Sequence, residues 1–190
     1  MPHTVALPPL LEGIMSPRHH TLPALSEEAL TDPRRLLTLR RTTLLDSPPT
    51  DVFDRFTRLA VTILRVPMAL LTLVDVDRQF FVSQVGLPEP WASARQTPLS
   101  HSFCRYVVVT GERLLIADAR VHPLFKDNRA IADFGIVAYA GIPLRTYDGA
   151  VLGAFCAAAH RPHTWRRREI EILHELAAAV TTDIELQLCR

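Results

Sequence analysis

The sequence predicts an α/β (α+β) fold, a central antiparallel sheet with helices packed against it, and three stretches carry that prediction. In Ile136–Ala158 (IVAYAGIPLRTYDGAVLGAFCAA) two apolar runs flank Tyr147-Asp148-Gly149. Asp-Gly is a strong hairpin signal, because both residues tolerate positive φ. Met68–Val74 (MALLTLV) and Gln79–Val85 (QFFVSQV), joined by a tight turn over Asp75-Val76-Asp77-Arg78, read as a second antiparallel pair. From Trp165 to about Leu188, apolar residues recur at three- and four-residue spacing, which predicts a long helix.

With Asp148 and Gly149 as the two loop residues of the hairpin, Ile142 faces Phe155, Leu144 faces Gly153 and Gly141 faces Cys156. One face then carries Ile142, Leu144, Val151 and Phe155, and the other carries Tyr139, Gly141, Ala154 and Cys156. Neither run alternates with charge, so both faces are expected to be covered. The small-residue face leaves room either for a closely approaching helix or for a ligand.

The remaining elements follow in order. Residues 1–33 hold six of the 15 prolines and read as an irregular, mobile arm, with Ser26–Leu30 at most one helical turn. His3, His19 and His20 belong to that arm and read as a solvated tail rather than as metal ligands. Residues 34–190 form the single domain. Pro33 opens a helix with Leu36, Leu37, Leu39, Leu44 and Leu45 in a stripe ending near Asp46. Thr50 or Asp51 caps the next helix, whose apolar residues run from Val52 to Leu64.

Gly86–Trp91 is a loop, and Pro98–Val109 reads as a helix closed by Gly111. Leu114–Ala117 is a short strand. Asp118–Phe134 is a long connection with one or two helical turns, a length that is unusual unless the segment has a task. Thr164 is the expected cap of the last helix. There Ile170, Leu173, Ala177, Val180 and Ile184 form one stripe and Ile172, Leu176 and Ala179 a second. One stripe suits the sheet and the other a partner helix, and the first is the candidate homodimer interface.

Composition narrows the function. Hydrophobic content of 48% and charged content of 22% describe an ordinary soluble globular chain. The net charge of +1 creates no field for nucleic acid or membrane, and no apolar run is long enough to span a bilayer. Neither partner is expected. The three cysteines, Cys104, Cys156 and Cys189, form neither a disulfide framework nor a zinc-type pair, and with no secretory signal a cytoplasmic location is the expectation.

In this order and spacing, LRRTTLLDSPPTDVFDRFTRLA, LLTLVDVDRQFFVSQVGLP, TPLSHSFCRYVVVTGERLLIADAR and GIVAYAGIPLRTYDGAVLGAFCAA resemble a GAF domain, over roughly residues 34–188. This is the small sensory module of bacterial signal-transduction proteins such as histidine kinases and cyclases. The resemblance implies a five- or six-stranded antiparallel sheet with the first and last helices on one face. A ligand pocket, covered by the middle helix and the long connection, lies on the other. It implies a stand-alone sensor, not an enzyme, that binds a small molecule and signals in two-component fashion through its terminal helices to a signalling partner or dimer mate.

The ligand-binding candidates are Phe81, Trp91, His101, Cys104, Asp118, Phe125, Asn128, Tyr139 and Cys156. Arg120, Lys126 and Arg129 lie in the right connection to anchor a cyclic-nucleotide phosphate, or are surface residues. Two other functions stay open. Some relatives of the fold reduce free methionine sulfoxide with pocket cysteines, and here Cys104 with His101 would be the catalytic pair, although the connection Asp118–Phe134 lacks a cysteine. The other is a ligand-free dimerisation module. The cofactor is unknown. Covalent bilin through a Cys-His pair is not expected, since no such pair occurs, and a haem on His101 or His122 is left open. No metal site is expected. The basic run Arg166-Arg167-Arg168 stands at a helix start, where the dipole disfavours it, and reads as a solvated face or an anion contact.

Overall fold

Every strand of the central sheet runs antiparallel to its neighbours, and the hairpin read from the sequence sits inside it. The computed structural model describes residues 27–189; His3, His19, His20 and the arm expected before residue 27 lie outside the described residues. The strands are β1 (Met68–Val74), β2 (Arg78–Val85), β3 (Gln96–Pro98), β4 (Leu114–Ile116), β5 (Ala138–Arg145) and β6 (Val151–Ala159). Their spatial order is β3-β2-β1-β6-β5-β4. The two most apolar strands, β1 and β6, occupy the centre and are buried along their whole length. Continuous apolar runs without polar alternation dictate that placement.

The back of the sheet is covered by α2 (Pro33–Arg41), α3 (Asp51–Leu64) and α7 (Arg167–Leu188). The front is covered by α5 (Cys104–Thr110) and the connection carrying α6 (Arg129–Phe134), with α1 (Glu28–Thr31) lying on α5. The turn at 28–31 is packed rather than free, because Leu30 is buried in the front layer. Buried Arg35 holds it there by donating to the carbonyls of Ala29, Leu30 and Val74 at 3.0, 2.6 and 2.7 Å.

The hairpin keeps the expected register, with Ile142 opposite Phe155, Leu144 opposite Gly153 and Gly141 opposite Cys156. Its loop has three residues, not two. Thr146 N–H donates to Ala150 O and Gly149 N–H to Thr146 O, both at 2.9 Å, and Gly149 supplies the positive φ of +86°. The register shift beside Leu144/Arg145 absorbs the difference, and it moves Val151 from the expected back face to the front cluster.

Other boundaries differ for local reasons. The helix after Pro33 ends at Arg41, because Thr42 Oγ1 turns back onto Leu39 O at 2.6 Å and Thr43 has φ +56°. The helix expected over Pro98–Val109 is broken. Residues Gln96–Pro98 pair with the edge of β2, Leu99–His101 form one 3₁₀ turn and Ser102 is extended. Ser102 Oγ then accepts Arg105 N–H at 3.0 Å as α5 begins. A short helix, α4 (Trp91–Ala94), follows the expected loop and begins at its last residue.

The last helix begins at Arg167, and Thr164 does not cap it. Glu169 takes that role by accepting Arg166 N–H at 2.7 Å, and Glu171 pairs with Arg167 at 2.7 Å, so acidic partners within the helix answer its basic start. Trp165 precedes the helix as a buried plug, with its indole N–H donated to Ile116 O.

Candidate functional site

The front face of the sheet brings most of the expected site residues together. On β5, β6 and β1, alternation points Tyr139, Cys156 and Thr72 to the same side, and α5 lays Phe103, Cys104, Tyr106 and Val107 across them. Phe125 arrives from the connection. Its ring meets Tyr106 at 4.9 Å and Phe103 at 5.8 Å, while Phe103 meets Tyr139 at 5.1 Å. Phe81, Cys104, Phe125, Tyr139 and Cys156 are all buried there, as side chains packed on one another. Gly141 explains the close fit. A Cβ at that position would strike the Tyr139 phenol, so only glycine lets the ring lie flat over β5.

At the centre of this layer is a polar knot. Cys104 Sγ and Tyr139 OH share a hydrogen bond of 3.2 Å, and Cys156 and Thr72 border the same sulfur. The neighbouring Cys156 thiol first, then the Tyr139 and Thr72 hydroxyls, hold the Cys104 thiol below its usual range against the upward push of burial. The interaction with Cys104 and burial push the Cys156 thiol well up, and burial foremost raises the Tyr139 phenol. Thr72 Oγ1 is buried without a hydrogen-bond partner of good geometry. Sequence reasoning missed Thr72. Its signal was a lone hydroxyl in the run MALLTLV, two residues from Leu70 and Val74 on the same face.

The other candidates lie elsewhere. Because Ser102 breaks the helix, His101 and Cys104 do not share a helical face. His101 is buried between the rings of Trp91 and Phe134, at 5.0 and 5.5 Å, with Nε2 on Asp133 at 2.8 Å and Nδ1 on Ser100 at 3.1 Å. The catalytic pairing of His101 with Cys104 is therefore not formed, and both His101 nitrogens already have partners. Asp118 accepts Arg120 N–H and pairs with its guanidinium, and Asn128 accepts Ala130 N–H to cap α6. Both residues set the course of the connection. Arg129 lies 3.9 Å from Asp133. His122 packs on Phe125 at 4.4 Å with Nδ1 accepting Leu124 N–H, and burial lowers its pKa. Among the described residues no group of three or more His, Cys, Asp or Glu side chains is arranged to hold a metal ion.

Two concavities lie outside the knot. One of about 70 Å³ is bordered by Glu27, Leu30, Arg105, Tyr106 and Val109. The other, of about 320 Å³, is an open groove between α3 and the β2 edge, with Asp54, Ser83, Gln84 and Arg95 among its polar lining. Neither touches Cys104, Cys156 or Tyr139.

On α7, Leu173, Ala177, Val180 and Ile184 are buried in the chain's own back layer, with Ile170 partly buried beside them. That stripe was the expected dimer interface, and the sheet already occupies it. The antiparallel sheet covers eight positions of β5 and nine of β6, too much apolar surface to leave bare, so the heptad-like stripe closes the monomer.

A six-stranded antiparallel sheet between terminal helices and a middle helix with a long connection defines a small α/β domain. The GAF domain family profile matches residues 48–184, and the chain belongs to that family. A cyclic di-GMP phosphodiesterase of Pseudomonas aeruginosa is 32% identical over 143 residues, which is 74% of this chain and 24% of that protein. The chain thus spans about a quarter of the length of that relative. Among solved structures, the GAF domain of a phosphoenolpyruvate-protein phosphotransferase from Coxiella burnetii superposes with a TM-score of 0.59 at 18% identity, covering 80% of this chain and 92% of that one. A domain of a putative two-component sensor histidine kinase from Sinorhizobium meliloti gives 0.58 at 22% identity, over 71% and 90%. These structural likenesses show the fold. Among the described residues no helix is long and apolar enough to cross a membrane.

Proposed function

We propose that this chain is a sensory and regulatory GAF domain that receives a small molecule on the front of its sheet and passes the change to a partner through its terminal helices. The observation that carries this reading is Tyr139. Its ring crosses Gly141 on the front face of β5 and β6, whose other residues there include the small Ala154, Cys156 and Ala158. Turning that ring outward vacates room for a ligand of about one aromatic ring. Tyr139 would then act as the resident occupant that a ligand displaces. The same strand faces α7 through Ala138, Ala140 and Ile142, so a shift of β5 is felt directly by the back layer. A ligand changes the output only by favouring one of two such arrangements.

The similarity to a cyclic di-GMP phosphodiesterase supports placing this module in the regulation of cyclic-dinucleotide signalling. We assign the chain no turnover of its own. The partner contact is expected on the outward face of α3, where Val52, Leu59 and Ile63 are about half exposed, beside Ile172 and Leu176 of α7. Arg55 and Asp183 pin the two helices together at 3.0 Å, so they would present one surface to a second copy of the chain.

Native mass spectrometry of protein taken from its own host, followed by thermal shift with cyclic di-GMP, cyclic AMP, cyclic GMP, indole and p-cresol, tests the reading. A co-purifying mass, or a probe that stabilises by about 2.7 kcal/mol at a hundredfold excess over its Kd, is the expected result. A bare mass with no probe shifting the melting curve would favour the dimerisation module instead. Sedimentation of Leu59→Glu and Ile63→Glu then tests the surface: loss of a dimer supports the α3 face, and a dimer that persists in both variants removes it.

A further inference from the structure

We propose that Cys104 and Cys156 form an oxidant-responsive thiol pair, in which a hydroperoxide oxidises Cys104 and Cys156 resolves it to a disulfide tying α5 to β6. The inference does not depend on a ligand for the front face. It begins from an imbalance in the core. A layer made of Phe, Tyr, Val and Ala side chains holds two thiols, a phenol and a hydroxyl at one point, and the hydroxyl of Thr72 lacks a good partner although it is wholly buried. Burying polar groups costs free energy, and aliphatic residues at these positions would pack with less loss. Such an exception inside an otherwise consistent core is where chemistry is expected.

The two sulfurs are not equivalent. Cys104 opens α5 and shares a hydrogen bond of 3.2 Å with the Tyr139 hydroxyl, with the Cys156 thiol and the Thr72 hydroxyl nearby. The Tyr139 hydroxyl, with the Cys156 thiol beside it, can therefore solvate a negative sulfur there, as water would outside. Cys156 lies in the central strand, and its interaction with Cys104, together with burial, pushes its thiol well up. Cys104, at the start of a short helix with a hydroxyl on its sulfur, and Cys156, in the central strand, suit the attacking and the resolving role respectively. The geometry brings the two cysteines to one place: Cys104 Sγ lies 3.2 Å from Tyr139 OH, and that phenol crosses Gly141, the residue paired with Cys156 in the sheet.

The electrons balance with the peroxide as oxidant. The Cys104 thiolate attacks one oxygen of ROOH, the S–O bond forms as O–O breaks, and the departing RO⁻ takes up the proton lost by Cys104 to leave as ROH. Cys156, on giving up its proton, attacks the sulfur of the sulfenic acid. The S–S bond forms, S–O breaks, and hydroxide leaves with that proton as water. The sulfur pair loses two electrons and the peroxide gains them. The disulfide also removes the sulfur that Tyr139 OH bonds, freeing the ring that covers Gly141. Both sulfurs are buried, so the oxidant enters when the seven-residue α5 opens locally, and oxidation is slower than at exposed Cys189.

The test uses the full chain carrying Cys189→Ser, treated with hydrogen peroxide and followed by intact mass and non-reducing tryptic mapping. The expected product has lost the mass of two hydrogen atoms. It joins peptide 96–105 to peptide 146–166, and dithiothreitol reverses it. With Cys156→Ser added, dimedone traps a sulfenic acid on Cys104. With Cys104→Ser added, Cys156 stays a thiol. Oxygen added to Cys104 without a cross-link, or both thiols intact under conditions that fully oxidise glutathione, overturns the proposal. So does oxidation of Cys156 at an unchanged rate in the Cys104→Ser protein.

Discussion

The two faces of the sheet are built from the same strands but on different terms. The back layer, under α2, α3 and α7, is a continuous aliphatic and aromatic cluster in which Leu39, Leu71, Leu73, Leu152, Leu173 and Ile184 are essentially inaccessible. The front layer is as well buried, yet it gathers Thr72, Cys104, Tyr139 and Cys156 around one sulfur. The back layer is what close packing alone would select. The front layer departs from it by holding polar groups among apolar side chains, a local inconsistency of the kind on which both proposals above rest.

The sharpest break in the comparison comes from removing volume behind the sheet. Leu173 is fully buried where α7 lies on the sheet, so Leu173→Ala is expected to cost about 2–5 kcal/mol in chemical denaturation. A loss under about 1 kcal/mol would mean that α7 detaches easily and that the back layer is not the stable one.

Adding one methyl to the front comes next. Gly141→Ala must push the Tyr139 phenol off β5, and a cost of about 1–3 kcal/mol is expected. The distinguishing readout is Tyr139 itself, which should become more accessible to solvent by fluorescence quenching or ring NMR. A destabilised variant with Tyr139 still in place would contradict the displaceable-ring account.

How far this contrast was legible in the sequence depended on whether a feature was local. Strand identity, the hairpin register and the shared face of Tyr139, Gly141 and Cys156 follow from a period of two and an Asp-Gly turn, and they hold in the structure. Val151 did not follow, because a bulge reverses alternation without a composition signal. The apparent helix from Pro98 to Val109 hid a β3 pairing that exists only because β2 offers an edge. The heptad-like stripe on α7 was read as a partner surface, since periodicity shows that a face is buried but not by what. Within the site, Cys104, Cys156 and Tyr139 could be listed from the sequence, whereas the Thr72 contact and the His101–Asp133 pair required the fold to bring distant segments together.

A smaller effect of opposite sign sharpens the contrast. Thr72 Oγ1 is buried without a good partner, so Thr72→Val removes an unsatisfied group while keeping the shape. A gain of up to about 1 kcal/mol is expected, against the usual direction for a core substitution. Loss of stability would show that the hydroxyl is a firm donor to the thiols, and the same variant should then slow Cys104 oxidation.

The smallest expected effect is electrostatic and belongs to the rim of the front layer. Burial lowers the pKa of His122, which packs on Phe125 and accepts Leu124 N–H at Nδ1. The unfolded chain takes up a proton near the ordinary histidine value of about 6.5, before the folded chain does. The neutral ring therefore contributes stability that is fully present above that value. It is lost as the pH falls from there towards the lower folded value, and below that it changes no further. His122→Gln should flatten this part of the pH–stability curve while leaving the plateau above neutrality nearly unchanged. Histidine NMR should show His122 titrating below a free-histidine reference. If it titrates at or above that reference, the ring is solvated, the Phe125 contact is open, and the rim of the front layer is looser than its core.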